Sequence, residues 1–173
     1  HGLGAIKGLG EGPVGSLIQA RNEGGPFKDL FDFCVRVDLR KVNKRALEAL
    51  IKSGSFDTLG ESRAVLMASL TEAVQSAEQQ SQNDSAGMDD LFGVVDTAET
   101  PDPYVHFREV EEWSLRERLQ AEKDTLGLYL TGHPIDEYEQ DLERLNCKRL
   151  MNLEVDKRPQ LVAGLIIGVR FVK

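Results

Sequence analysis

The sequence predicts a mainly α-helical fold that ends in one β-strand. Three observations carry this reading. Apolar residues recur at helical spacing in several separate runs, among them Val65, Leu66, Leu70 and Val74. Glycine and proline punctuate those runs at short intervals. β-Branched residues concentrate in the closing stretch Leu161-Val162-Ala163-Gly164-Leu165-Ile166-Ile167-Gly168-Val169-Arg170-Phe171-Val172.

The first element is a glycine turn, Leu3-Gly4-Ala5-Ile6-Lys7-Gly8-Leu9-Gly10-Glu11-Gly12-Pro13. Glycine tolerates φ > 0 and lets a ligand approach the backbone. Proline suits the first helical position, where its missing N–H would have no partner. The amphipathic run that follows, Val14 to Arg21, therefore predicts a helix whose amides and dipole face an anion. This is the pattern of a helix-hairpin-helix, a module that grips nucleic-acid backbone. The same apolar-glycine alternation also serves ordinary tight turns. No strand precedes it and the G-x-G-x-x-G spacing is absent, so it is not a dinucleotide fingerprint; nor is it a P-loop.

Gly24-Gly25-Pro26 ends that helix. Phe27 to Val37 predicts a short helix burying Leu30, Phe31, Cys34 and Val35. A third helix follows, with Asn43 as its N-cap, Leu47, Leu50 and Ile51 as its stripe, and Ser53-Gly54 as its stop. Leu39 to Gly54 reads as a second, degenerate hairpin without glycines in its turn. Lys41, Lys44 and Arg45 crowd the start of its last helix, where cations oppose the dipole. Phosphate contact would account for them; a solvated basic face is the plainer explanation. Residues 61–80 predict a long helix, and 81–107 a polar, turn-rich linker holding one apolar island, Met88 to Val95. Helical spacing returns from Arg108 to Asp124 and again from Ile135 to Leu145. The expected divisions are 1–80, 81–107, 108–158 and 159–173.

The net charge of -8 is unevenly spread. Residues 1–60 hold nine Lys/Arg and seven Asp/Glu, hence +2; residues 61–173 hold twelve and twenty-two, hence -10. The first third can meet a polyanion and the rest should avoid one. No apolar run approaches the ~20 residues of a bilayer span, and no signal peptide is evident. Cys34 and Cys147, like His1, His106 and His133, are too scattered for a metal cage. Free thiols suggest a reducing, cytoplasmic setting. The ends of the chain read as cuts from a longer one.

Several segments together resemble a known family. Gly2 to Gly8, Phe27 to Phe33, Lys44 to Gly54 and Thr125-Leu126-Gly127-Leu128-Tyr129-Leu130-Thr131-Gly132-His133-Pro134 are similar, in order, to the alpha subunits of bacterial DNA polymerase III. The resemblance runs over nearly the whole chain. It implies a tandem helix-hairpin-helix and clamp-binding region after the fingers, ending at the first strand of an OB-fold. It also implies that the catalytic acids lie upstream, so that this piece is not itself an enzyme. Duplex DNA would be held without regard to sequence by Lys7, Gly8, Leu9, Gly10 and Gly12, and by Lys41, Asn43, Lys44 and Arg45. No cofactor is expected, although hairpins of this class can hold a monovalent cation. The internal clamp-binding peptide can correspond only to Met88-Asp89-Asp90-Leu91-Phe92. Met88 stands where the family has glutamine and lacks its amide donors. The expected partners are duplex DNA, the sliding clamp and the rest of the polymerase chain. Two other functions stay open: a helix-hairpin-helix DNA glycosylase, for which Lys28 and Asp29 lack the usual context, and a scaffold whose hairpins only pack against protein.

Overall fold

The computed structural model describes residues 2–85, 102–166 and 168–172. The chain divides into two compact units, His1–Leu128 and Tyr129–Lys173. The first holds α1 (Glu11–Gly24), α2 (Leu30–Arg36), α3 (Lys44–Lys52), α4 (Arg63–Ser85) and α5 (Leu115–Leu126); the second holds α6 (Glu139–Arg144). Short 3-10 turns occupy Leu3–Ala5, Asp57–Leu59, Pro134–Tyr138 and Leu150–Asn152.

The core of the first unit follows from the apolar stripes. Leu66, Leu70, Ala73 and Ala77 recur along one side of α4 and are buried. Onto α4 pack α2, through Leu30, Phe33 and Cys34, and α3, through Leu47, Leu50 and Ile51. Removing each such Leu or Ile from water is worth roughly 1.5–3 kcal/mol. Phe33 meets Phe56 edge-on with ring centroids 4.8 Å apart, which fixes the loop after α3. Burial pushes the Cys34 thiol up to about 12, so it stays a protonated core group.

Helix ends fall near the expected stops. Gly25 closes α1 at φ 76, and Gly54 lies just beyond α3 at φ 78. Gly54 is also forced by crowding, because a Cβ there would collide with the Arg63 guanidinium. Pro13 lies three residues into α1 rather than at its first position, since Gly10 is the N-cap.

Residues 81–85 of the expected linker belong to α4, Val35 is exposed rather than buried, and three further expectations differ from the structure. Helix is expected from Arg108, yet residues 103–109 form successive turns and α5 begins only at Leu115. Tyr104 explains the turns: its ring is buried and its hydroxyl accepts the Leu30 amide at 2.9 Å. Ser114 then starts α5 afresh through a reciprocal capping box with Glu117. The second difference concerns 159–173. Among the described residues nothing forms a strand; 161–166 and 168–172 are irregular, with Phe171 and Val172 exposed. A strand requires ladder partners. Here the run is tied to the chain before it by the Lys148 amide, which donates to the Leu161 carbonyl at 2.8 Å, and one such bond makes no ladder. Third, the expected helix over 135–145 becomes the Pro134–Tyr138 turn followed by α6.

Candidate nucleic-acid interface

Three helix starts in the first unit treat their free amides differently. A helix leaves its first N–H groups without internal partners, and what fills them decides whether an anion can bind.

The start of α1 is open. Gly10 is the N-cap and has no side chain to fold back. The first helical bond runs from the Val14 amide to the Gly10 carbonyl, 3.2 Å. Pro13 has no N–H. The amides of Gly8, Gly10, Glu11 and Gly12 therefore have no protein acceptor among the described residues. Gly8 needs its residue type, since φ is +86. Gly10 and Gly12 do not need theirs for internal reasons: a Cβ at either would meet nothing within 4 Å. All three glycines are exposed. Bare backbone facing solvent is what close approach of a phosphate chain requires.

The neighbours of that turn are fixed in place. Ile6 and Leu9 are buried, and the Leu9 amide donates to the Ile6 carbonyl at 3.1 Å. Leu9, expected among the DNA-facing residues, thus offers neither side chain nor amide to a ligand. The Lys7 amide donates to the Thr125 carbonyl at the end of α5, 2.8 Å. The Lys7 side chain is exposed and has no protein partner among the described residues. The carbonyls of Gly2, Leu3 and Ile6 accept amides within the turn.

At α3 the start is capped but basic. Asn43 Oδ1 accepts the Ala46 amide at 3.0 Å, as its position predicts. Lys44 and Arg45 are exposed, and their amides lack protein acceptors among the described residues. Lys44 Nζ donates to Thr71 Oγ1 of α4, 3.0 Å, which aims the side chain. Arg45 has no such partner among the described residues. Lys41 lies 3.8 Å from Asp38, which also takes Arg40 Nε at 3.2 Å. The Arg40 side-chain hydrogen bond, then its backbone amide, hold the Asp38 carboxyl below the usual range. Asp38 thereby offsets part of the basic charge. The two hairpins are joined where the Asp38 amide donates to Ser16 Oγ, 3.3 Å.

By contrast, side chains claim the first and third amides of α2. Asp29 accepts the Asp32 amide at 2.8 Å and Tyr104 accepts that of Leu30. Burial first, with nearby carboxylates adding, pushes the Tyr104 phenol up to about 12, so it remains neutral.

Sequence reasoning missed the groups that hold these starts. Arg63 is 4% exposed and donates to Asp57, 2.6 Å, to Glu122, 3.0 Å, and to the Lys52 carbonyl, 3.3 Å. Glu122 is fully buried. A signal for it exists in the sequence: it occupies the same stripe of α5 as Leu115, Leu119 and Leu126, where an unpaired carboxylate would be costly. Thr71 and Thr125 give no signal, because one acts by a surface hydroxyl and the other by a carbonyl.

The clamp-peptide positions Met88, Asp89, Asp90, Leu91 and Phe92 lie outside the described residues. Among the described residues no group of three His, Cys, Asp or Glu could hold a metal ion. No described helix is long and apolar enough to cross a membrane.

Comparison with known proteins agrees with this geometry. A helix-hairpin-helix motif family matches residues 1–66. Over its full length the chain is similar to DNA polymerase III subunit alpha of Pseudomonas aeruginosa, 50% identical over 188 aligned positions. It is 49% identical to that of Vibrio cholerae over 172 positions, and 44% identical to that of Escherichia coli over 174, each covering 98% of the chain. The chain spans 15–16% of the length of these relatives.

Proposed function

We propose that this chain is a non-catalytic piece of a replicative DNA polymerase that holds duplex DNA by its phosphates and binds the sliding clamp. One observation carries the DNA half of this reading. Among the described residues the α1 start presents four unclaimed amides, those of Gly8, Gly10, Gly12 and Glu11, and the α3 start presents two more, those of Lys44 and Arg45. The similarity to polymerase alpha subunits supplies the polyanion these amides would meet. Amide and lysine contacts to phosphate position a duplex without reading bases, which suits an enzyme that must copy any sequence. Cations that approach phosphates displace condensed counterions, so affinity should fall steeply with salt.

The clamp half rests on the family resemblance and on chemistry. Leu91 and Phe92 are two adjacent apolar side chains in an acidic surround: residues 81–112 carry nine Asp/Glu against Arg108 alone. Burial of each anchor on a partner is worth roughly 1.5–3 kcal/mol. The acidity would keep the segment off DNA. A clamp contact would make DNA rebinding intramolecular, raising avidity by ~10²–10⁴.

Leu91→Ala with Phe92→Ala tests the clamp contact. Purified sliding clamp should bind the parent chain and not the double variant, while duplex affinity stays within about twofold. Equal clamp binding by both proteins would remove this assignment.

A further inference from the structure

The first hairpin does not stand on residues 1–66 alone, the span matched by the motif family. Its turn is pinned from behind by α5, through the Lys7 amide on the Thr125 carbonyl, 2.8 Å. The amide of Gly8, next along the chain, has no protein acceptor among the described residues, and Gly8 is exposed. α5 is in turn fixed at its middle, where Glu122 meets Arg63 Nη1 at 3.0 Å with both side chains buried. Thr125 follows Glu122 by three residues, less than one helical turn, so a shift of Glu122 moves the Thr125 carbonyl. Arg63 also holds Asp57 and the last carbonyl of α3. Burial alone would favour discharging Arg63, yet its hydrogen bonds to Asp57 and Glu122 outweigh this and keep it charged. Breaking a buried pair by removing one partner leaves an uncompensated buried charge and is strongly destabilising.

We propose that Glu122 and Arg63 are positioning residues for phosphate binding: through Thr125 they set the amides of Gly8, Gly10, Glu11 and Gly12 at the distance and angle a duplex requires. On this view the α5 segment is a working part of the DNA grip, although it touches no nucleic acid. The proposal rests on the phosphate-binding reading of the α1 start.

The test uses the 173-residue chain and its Glu122→Gln variant, which keeps an acceptor for Arg63 and removes one charge. Amide hydrogen exchange reads the anchor without DNA. Protection of the Lys7 amide should fall about tenfold in the variant, while core amides such as those of Leu50 and Leu70 keep most of theirs. Duplex affinity should fall about tenfold, the size of one charge-assisted hydrogen bond. A role confined to global stability would lower Lys7 and core protection in parallel and leave affinity of the folded molecules unchanged; that result overturns the proposal. So does unchanged Lys7 protection. If the parent chain itself fails to bind duplex, the phosphate reading has failed and the proposal falls with it, whereas binding by the parent with unchanged Lys7 protection in the variant removes the proposal alone. Should Glu122→Gln unfold, Glu122→Asp, one methylene shorter, gives the same two readouts.

Discussion

The starts of α1 and α3 offer amides by opposite means. At α1 the chain removes side chains: Gly8, Gly10 and Gly12 are exposed with empty space where a Cβ would be, and Lys7 supplies a cation beside them. At α3 it keeps side chains and chooses them: Asn43 closes one amide, and Lys44 and Arg45 add charge. The α2 start, where Tyr104 and Asp29 claim the first and third amides, shows what a more fully capped helix start looks like in the same unit. The difference teaches where the strength of each contact would come from. Short-range amide hydrogen bonds should dominate at α1 and long-range, salt-sensitive attraction at α3.

The largest expected effect falls on the basic start. Lys44→Glu with Arg45→Glu should weaken duplex binding about a hundredfold near physiological salt. The slope of log affinity against log salt should shrink by about two, close to 0.9 for each phosphate no longer neutralised. Indistinguishable titrations would favour the scaffold reading, in which the hairpins only pack against protein.

Gly12→Ala sharpens the comparison at the other start. An alanine inside a helix is favoured over glycine by up to about 1 kcal/mol, and here its methyl meets no protein atom. The variant should melt no earlier than the parent and bind duplex about tenfold more weakly. Opposite signs for stability and affinity would mark this glycine as serving a ligand. A joint fall would mean that the turn is internal architecture.

The smallest effect is expected at Asn43. Replacing it with alanine removes the cap on the Ala46 amide, at a cost of about 1 kcal/mol in thermal or denaturant unfolding. Duplex affinity of the folded variant should change by less than about threefold, because the cap and the phosphate contacts use different amides. A larger drop would place Asn43 itself on the nucleic acid.

Much of the first unit is readable from residues. Helical stripes locate α1 to α4, Asn43 announces its cap, and the glycine turn announces an open helix start. What is not legible depends on distant partners. Tyr104 reads as one aromatic in a polar stretch, and only the fold brings its hydroxyl to the Leu30 amide, seventy-four positions away. That contact is why 103–109 turns instead of continuing a helix. Leu9 sits between glycines and is expected to meet DNA, yet its side chain is buried in the core. The 161–172 run has the composition of a strand, but composition cannot supply the neighbouring strands that a ladder needs.

The α1 start should meet phosphate through its main-chain amides, and amide resonances of the isotope-labelled chain, followed while a short duplex is added at low salt, test this most directly. Saturable shifts at Gly8, Gly10, Glu11 and Gly12, reversed by raising the salt and absent at the sealed Leu30 amide, are the predicted result. Shifts confined to other residues, or none at all, would contradict it.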